Sequence, residues 1–112
     1  KMINEKTCVP CQGGIPPLKD EEINFFLTKL NPGWEVIKSK EIRKEYAFKN
    51  YREAIAFVNN VADLAEEEGH HPYIHINYKN VCVILFTHKI NGLHENDFIL
   101  ASKCDIIFDK LV

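Results

Sequence analysis

The chain has 112 residues, with 14 Lys and Arg against 16 Asp and Glu for a net charge of −2, and 46% of it is hydrophobic. A chain of that length buries about 60–70% of the surface its unfolded form exposes, which supports a single domain over residues 1–112 and leaves too little for a second core. The charge lacks the basic excess that direct nucleic-acid binding needs, and the apolar fraction opposes disorder. The longest apolar run, Val81 to Phe86, is far short of the roughly 20 residues that cross a bilayer. With no signal-like apolar stretch at Lys1 to Thr7, the expectation is a soluble cytoplasmic protein without membrane contact, the nucleus remaining open to it.

Cys8 and Cys11 form one Cys-x-x-Cys pair, while Cys82 and Cys104 stand alone in apolar segments, unlike the dense framework of a small secreted domain. One pair supplies two of the four ligands of a closed zinc site, so no metal is assigned to it. Its place before Gly13, Gly14, Pro16 and Pro17 reads as an N-terminal loop over residues 1–17, not as the strand-to-helix turn of a redox motif.

From Leu18 to Leu30, the residues Leu18, Ile23, Phe26, Leu27 and Leu30 recur at helical spacing. Pro16 and Pro17 precede them, Asp20 to Glu22 suit the positive end of a helix, and Asn31-Pro32-Gly33 stops it. Trp34, Val36 and Ile37 open an extended run that turns near Ser39 to Glu41 and returns through Ile42, Tyr46 and Phe48 as a first hairpin. A second helix runs from Asn50, an N-cap, through Tyr51, Ala54, Ile55, Val58, Val61, Ala62 and Ala65 to Glu66, Glu67, Glu68 and Gly69. Three glutamates in its last turn oppose the helix dipole, which marks a solvated acidic end or one carboxylate with a task.

The alternation of Ile74, Ile76 and Tyr78 with His75 and Asn77 predicts a strand with one buried face, and Val81 to His88 a more deeply buried partner. A two-residue loop at Lys79-Asn80 sets Tyr78 opposite Val81, Ile76 opposite Val83, Ile74 opposite Leu85 and His71 opposite His88. Asn91-Gly92 then turns the chain into a helical pattern from His94 onward, carrying Leu100, Ala101, Cys104, Ile107, Phe108 and Leu111. The expected class is α+β: a four-stranded antiparallel sheet with three helices packed on one face, in the order α-β-β-α-β-β-α. The other face of the second hairpin, with Tyr73, Ile84 and Phe86, is also apolar and calls for cover by the first hairpin, a ligand or another subunit.

A lone histidine on a strand or loop is more often structural than catalytic, and His75 and His94 are read so. His70, His71 and His88 differ, because directly opposed strand residues have Cβ atoms roughly 4.5–5.5 Å apart. Glu66 lies one helical turn before His70, and Asp97 lies past the Gly92 turn. Imidazoles titrate near neutral pH and both give and take protons, so such a cluster suits a reaction that needs an acid and a base together. Zinc is the rival use, but adjacent histidines on an extended chain point to opposite faces, which sets His70 and His71 poorly for one tetrahedral ion. No metal is therefore assigned.

The run Glu66-x-x-x-His70-His71-Pro72, the aromatic Tyr78, Thr87-His88, and Asp97 within Gly92-Leu93-His94-Glu95-Asn96-Asp97 resemble the signature of the pterin-4a-carbinolamine dehydratases. The Cys8-to-Leu18 stretch, Trp34-Glu35-Val36, and Phe48 to Phe57 with Tyr51 and Ala54 between them agree, so the resemblance spans about Cys8 to Asp105. It implies a carbon–oxygen lyase, 4a-hydroxytetrahydrobiopterin dehydratase. That enzyme converts 4a-hydroxytetrahydropterin to quinonoid dihydropterin and water in tetrahydrobiopterin recycling, losing hydroxide from C4a and a proton from N5, with no cofactor. On the same resemblance His70 and His88 transfer protons, and His71 positions the substrate and assists. Glu66 would hydrogen-bond a histidine or the pterin ring, Asp97 would orient a histidine or fix the turn, and Thr87 would help orient the substrate. A pterin as small-molecule partner and a homodimer or homotetramer are implied as well.

Two positions depart from the family pattern: Gly69 stands where many members carry Asp or Asn, and Lys89 where an acidic residue is usual. Animal members also act as dimerisation cofactors of a homeodomain transcription factor through helical surface. The stripe Leu100, Cys104, Ile107, Phe108 and Leu111 is therefore open to self-association or to such a partner, and a pterin-binding protein with weak catalysis is the third reading.

Overall fold

The computed structural model describes residues 2–112, and its three α-helices begin where side chains supply caps. The Glu22 carboxylate accepts the Lys19 amide at 2.9 Å, so helix α1 runs over Asp20–Leu27, shorter than the periodic stripe. Beyond it the Lys29 and Leu30 amides bond three residues back, to Phe26 and Leu27, and the stripe continues in tighter turns. Helix α2 (Tyr51–Glu68) starts with the Asn50 side chain accepting the Glu53 amide at 2.8 Å and ends at Gly69, left-handed at φ 66°. Strands β1 (Glu35–Ile37), β2 (Glu41–Ala47), β3 (Tyr73–Asn77) and β4 (Asn80–Leu85) form one antiparallel sheet in the order β1-β2-β4-β3, and α3 (Glu95–Leu111) follows. Class and element order are those expected from sequence.

The second hairpin turns one residue earlier than the sequence suggested. Asn77 pairs with Asn80, Ile76 with Val81 and Ile74 with Val83, so Tyr78-Lys79 form the loop. Asn80 joins the ladder, and Tyr78, at φ 54°, finds a stacking partner outside it in Tyr51, ring centroids 6.4 Å apart. A slip of two residues keeps every side chain on its expected face. It abolishes the expected apposition of His71 and His88, which both lie beyond a ladder that starts at the Tyr73–Ile84 pair. The chain leaves β4 through a Thr87–Gly92 bridge and a 3₁₀ turn over His88–Ile90.

Ile42 and Tyr46 of β2 and Val81, Val83 and Leu85 of β4 share one buried face. Ile23 of α1, Ala54, Phe57 and Val61 of α2, and Phe98, Leu100, Ala101 and Cys104 of α3 complete one cluster with them. Helix α3 packs against both α1 and α2, and every residue from Asn96 to Asp105 except Lys103 is buried. Leu100 and Cys104 of the stripe are buried in the chain's own core, while Ile107, Phe108 and Leu111 pack against it and stay partly exposed. The first hairpin lies within the sheet, so it does not cover the outer face, where Tyr73 stays exposed.

Asp105 ties α3 to the first hairpin. Its Oδ1 accepts Lys44 Nζ at 2.8 Å and the Tyr46 hydroxyl at 2.7 Å, and its Oδ2 accepts the Trp34 indole N–H at 3.1 Å and the Asn31 amide at 3.2 Å. Burial, and then the Asp105 charge, push the Tyr46 phenol far above its ordinary value, so it stays a neutral donor. Removing the acceptor strands a largely buried ammonium and its companions. Asp105→Ala is expected to lower the unfolding free energy by about 3–5 kcal/mol, read from the denaturant midpoint, and Asp105→Asn, which keeps an acceptor oxygen, to lower it less.

Candidate active site

The site grows out of the cap of α3. His94 Nδ1 accepts the Asn96 amide at 2.9 Å, and Asp97, three residues on, accepts the His94 amide through Oδ2 at 3.0 Å, the reciprocal arrangement of a capped helix start. A carboxylate there is also favoured by the helix dipole. Asp97 is fully buried and takes two more partners, the Thr87 hydroxyl on Oδ2 at 2.8 Å and His70 Nε2 on Oδ1 at 2.6 Å. With the amide and the hydroxyl donating to it, Asp97 acts as acceptor. That assigns the shared hydrogen to His70 Nε2 and leaves Nδ1 as the nitrogen available for proton exchange.

His70 reaches Asp97 because α2 ends in a left-handed turn. Gly69 and His70 both donate their amides to the Ala65 carbonyl. Gly, Asn and Asp are the residues that adopt that conformation most readily, so Gly69 in place of Asp or Asn preserves the backbone. The neighbouring pair has another character. His71 is hydrogen-bonded to Glu66 with side chains 60% and 79% exposed, whereas His70 is 14% exposed.

His88 opens the 3₁₀ turn, with Nε2 3.2 Å from the Tyr73 hydroxyl and its ring 4.2 Å from that of Phe86. Tyr73 and Phe86 stack at 5.4 Å, so an aromatic wall backs this histidine. Sequence reasoning marked both rings only as an uncovered apolar face; the available signal was that they flank His88 across the hairpin. The six residues singled out from sequence lie on three segments, Glu66 to His71, Thr87-His88 and Asp97, and the bonds of Asp97 to His70 and Thr87 tie those segments together. His75 sits exposed on β3, and His94 is the cap just described.

A cleft of about 700 Å³ lies elsewhere, between the start of the chain, α1 and α3, and none of these histidines lines it. Its Lys6 and Glu95 are paired with each other, as are Asn31 and Asp109, and it holds no histidine. Among the described residues, no three His, Cys, Asp or Glu side chains are grouped to hold a metal ion, and no helix is long and apolar enough to cross a membrane.

A family model described as pterin 4 alpha carbinolamine dehydratase matches residues 16–107. A protein of Rubrobacter xylanophilus is 50% identical over 101 residues, 90% of this chain and 94% of its own length. One of Rickettsia canadensis is 45% identical over 104 residues, 93% of this chain and 95% of its own. Both bear the name "Putative pterin-4-alpha-carbinolamine dehydratase". Among solved structures, the transcriptional coactivator/pterin dehydratase from Brucella melitensis is similar with a TM-score of 0.76 at 34% identity, over 81% of this chain and 97% of that one. A pterin dehydratase-like protein identified as a RuBisCO assembly factor in the alpha-carboxysome is similar with a TM-score of 0.59 at 27% identity, over 68% and 89% of the two chains. With a family match over most of its length and relatives this similar, the chain belongs to the pterin 4 alpha carbinolamine dehydratase family.

Proposed function

We propose that the chain dehydrates 4a-hydroxytetrahydropterin to quinonoid dihydropterin and water by histidine acid–base catalysis, as a step of tetrahydrobiopterin recycling. The observation that carries this reading is the buried Asp97 carboxylate bonded to His70, with two more histidines on the segments it joins. Loss of hydroxide from C4a and of a proton from N5 balances as loss of water and transfers no electrons to a carrier. One group must protonate the leaving hydroxyl while another accepts the N5 proton. His70, held through Nε2, exchanges its proton at Nδ1. His88 is the second carrier, and the Tyr73–Phe86 wall beside it offers a face on which a flat bicyclic ring would stack. Which of the two serves as acid depends on the face of the pterin that bears the hydroxyl. His71, paired with Glu66 at the exposed rim, positions the substrate, and Thr87 holds Asp97.

On the family resemblance we place this activity in the cytoplasm, in a single domain that assembles as a homodimer or homotetramer. The name of the Brucella relative favours a second reading, a contact with a transcription factor. Such a contact could use the partly exposed end of the α3 stripe, Ile107, Phe108 and Leu111, or exposed Tyr51 and Tyr78.

Wild type should speed the decay of enzymatically generated 4a-hydroxytetrahydropterin, followed by ultraviolet absorbance. His70→Ala and His88→Ala should each lower kcat by about 10²-fold or more, Asp97→Asn by about 10–100-fold, and His71→Ala by less. A decay unchanged from the spontaneous rate overturns the reading. The pH dependence offers a separate check: kcat/KM should pass through a maximum and fall on both sides, because an acid and a base are needed at once. A profile with a single limb leaves only one working group.

A further inference from the structure

Residues 6–18 carry no regular secondary structure, yet they are held firmly. The Cys8 amide donates to Glu68 Oε1 at 2.7 Å. The Val9 amide donates to Asn96 Oδ1 at 3.0 Å, and Asn96 Nδ2 donates back to the Val9 carbonyl at 2.6 Å, so one side chain grips the peptide edge as a neighbouring strand would. Lys89 Nζ donates to the Cys11 carbonyl at 3.3 Å. Further along, the Leu18 amide donates to the Leu93 carbonyl at 2.9 Å, and Pro17 lies so close to Gly92 that a Cβ there would stand 2.6 Å from Pro17 Cβ. Two of the anchors are buried: Asn96 is 2% exposed, and the Glu68 side chain 5%, its other oxygen accepting Lys103 Nζ at 2.7 Å.

The anchors are neighbours of the site. Glu68 lies between Glu66 and His70, Asn96 immediately precedes Asp97, and Lys89 immediately follows His88. The start of α3 does not need the Asn96 side chain, because His94 and Asp97 already supply the cap. A buried amide group is costly unless bonded, and the partners of this one are the strap's amide and carbonyl. We propose that Asn96 and Glu68 are positioning residues, which clamp residues 6–18 as a strap across the three site segments and so hold Asp97 and His70 in the geometry of proton transfer. This rests on the acid–base reading of His70 given above.

Cys8 provides a reporter of the strap. Burial chiefly, and then the Glu68 carboxylate, push its thiol up to about 12, so the docked strap resists alkylation. Burial alone would raise the Glu68 carboxyl, but the bonds from Lys103 and the Cys8 amide outweigh it and hold it below its ordinary value. A carboxyl lowered on folding contributes its stability above its unfolded value and loses it as pH falls through the folded one. The clamp is therefore fully formed at neutral pH and loosens in acid.

In a Cys11→Ser background, Asn96→Ala should speed iodoacetamide alkylation of Cys8 by about tenfold, scored on the Cys8 peptide by mass spectrometry. It should also shift the His70 ring-nitrogen resonance and lower kcat by about 10²-fold with KM changed less than about threefold, since a displacement of ~1 Å can cost that much. Faster alkylation with an unmoved His70 resonance and unchanged kcat overturns the proposal, and so does unchanged alkylation. If wild type shows no dehydratase activity, the resonance still decides the positioning role, which separates the two failures. In wild type the Cys8 and Val9 amides should be protected from hydrogen exchange; exchange at the rate of an unfolded chain overturns the strap whether or not the Asn96 variant folds.

Discussion

Everything at the reactive end of this molecule depends on neutralising one buried carboxylate. Asp97 has no exposed surface, and its donors come from three places: its own helix start through the His94 amide, the segment after β4 through Thr87, and the end of α2 through His70. Leaving such a charge unpaired costs on the order of several kcal/mol, so the folded state is favoured only when all three segments arrive together. Satisfying the charge and orienting the imidazole are therefore one requirement. The geometry of the histidine is thereby coupled to the stability of the fold.

Helix α3 carries a second buried carboxylate, Asp105, about 12 Å farther along its axis at 1.5 Å per residue. The two are built alike but end differently. Around Asp105 the indole, the ammonium, the phenol and the amide each donate one hydrogen to the carboxylate, and the Tyr46 phenol is pushed far above its ordinary value. None of these donors is an imidazole that would keep a second nitrogen free. Around Asp97 one donor is an imidazole, the only side chain that can bind a carboxylate through one nitrogen and keep another for chemistry. One helix thus holds a closed network at the first hairpin and an open one at the second, and its rigidity keeps their separation constant.

Helix α2 was legible because its apolar spacing, the Asn50 cap and the Gly69 stop agree on one answer. The strand faces were legible too, since alternation is unchanged by a slip of two residues; for the same reason alternation could not choose between Ile76 meeting Val81 or Val83. Turn conformation made that choice, and nothing about a tyrosine announces a positive φ at Tyr78. His70, Thr87 and Asp97 could be named before their geometry because their pattern is local, although the register argument that joined His71 to His88 was wrong. Of the three glutamates ending α2, two have partners where one was expected, Glu66 with His71 and Glu68 with Lys103 and Cys8. Asn96 was invisible because its partner, Val9, lies far away in the chain and presents only backbone. Tyr73 could be placed on an apolar face, but its hydroxyl on His88 depends on where the chain bends after β4.

The adjacent histidines are separated by burial more than by position. An exposed ion pair contributes about 0–1 kcal/mol, so Glu66 can be displaced from His71 at little cost. His70 cannot leave Asp97 so easily, because its departure exposes a buried carboxylate that only Thr87 and the His94 amide would then serve. The dehydration we propose, which removes hydroxide and a proton from neighbouring atoms, needs one proton carrier whose place is settled before the substrate arrives. It also needs a rim that yields as the ring enters. The left-handed turn at Gly69 supplies both from consecutive residues, sending His70 inward to a fixed partner and leaving His71 in solvent with a replaceable one.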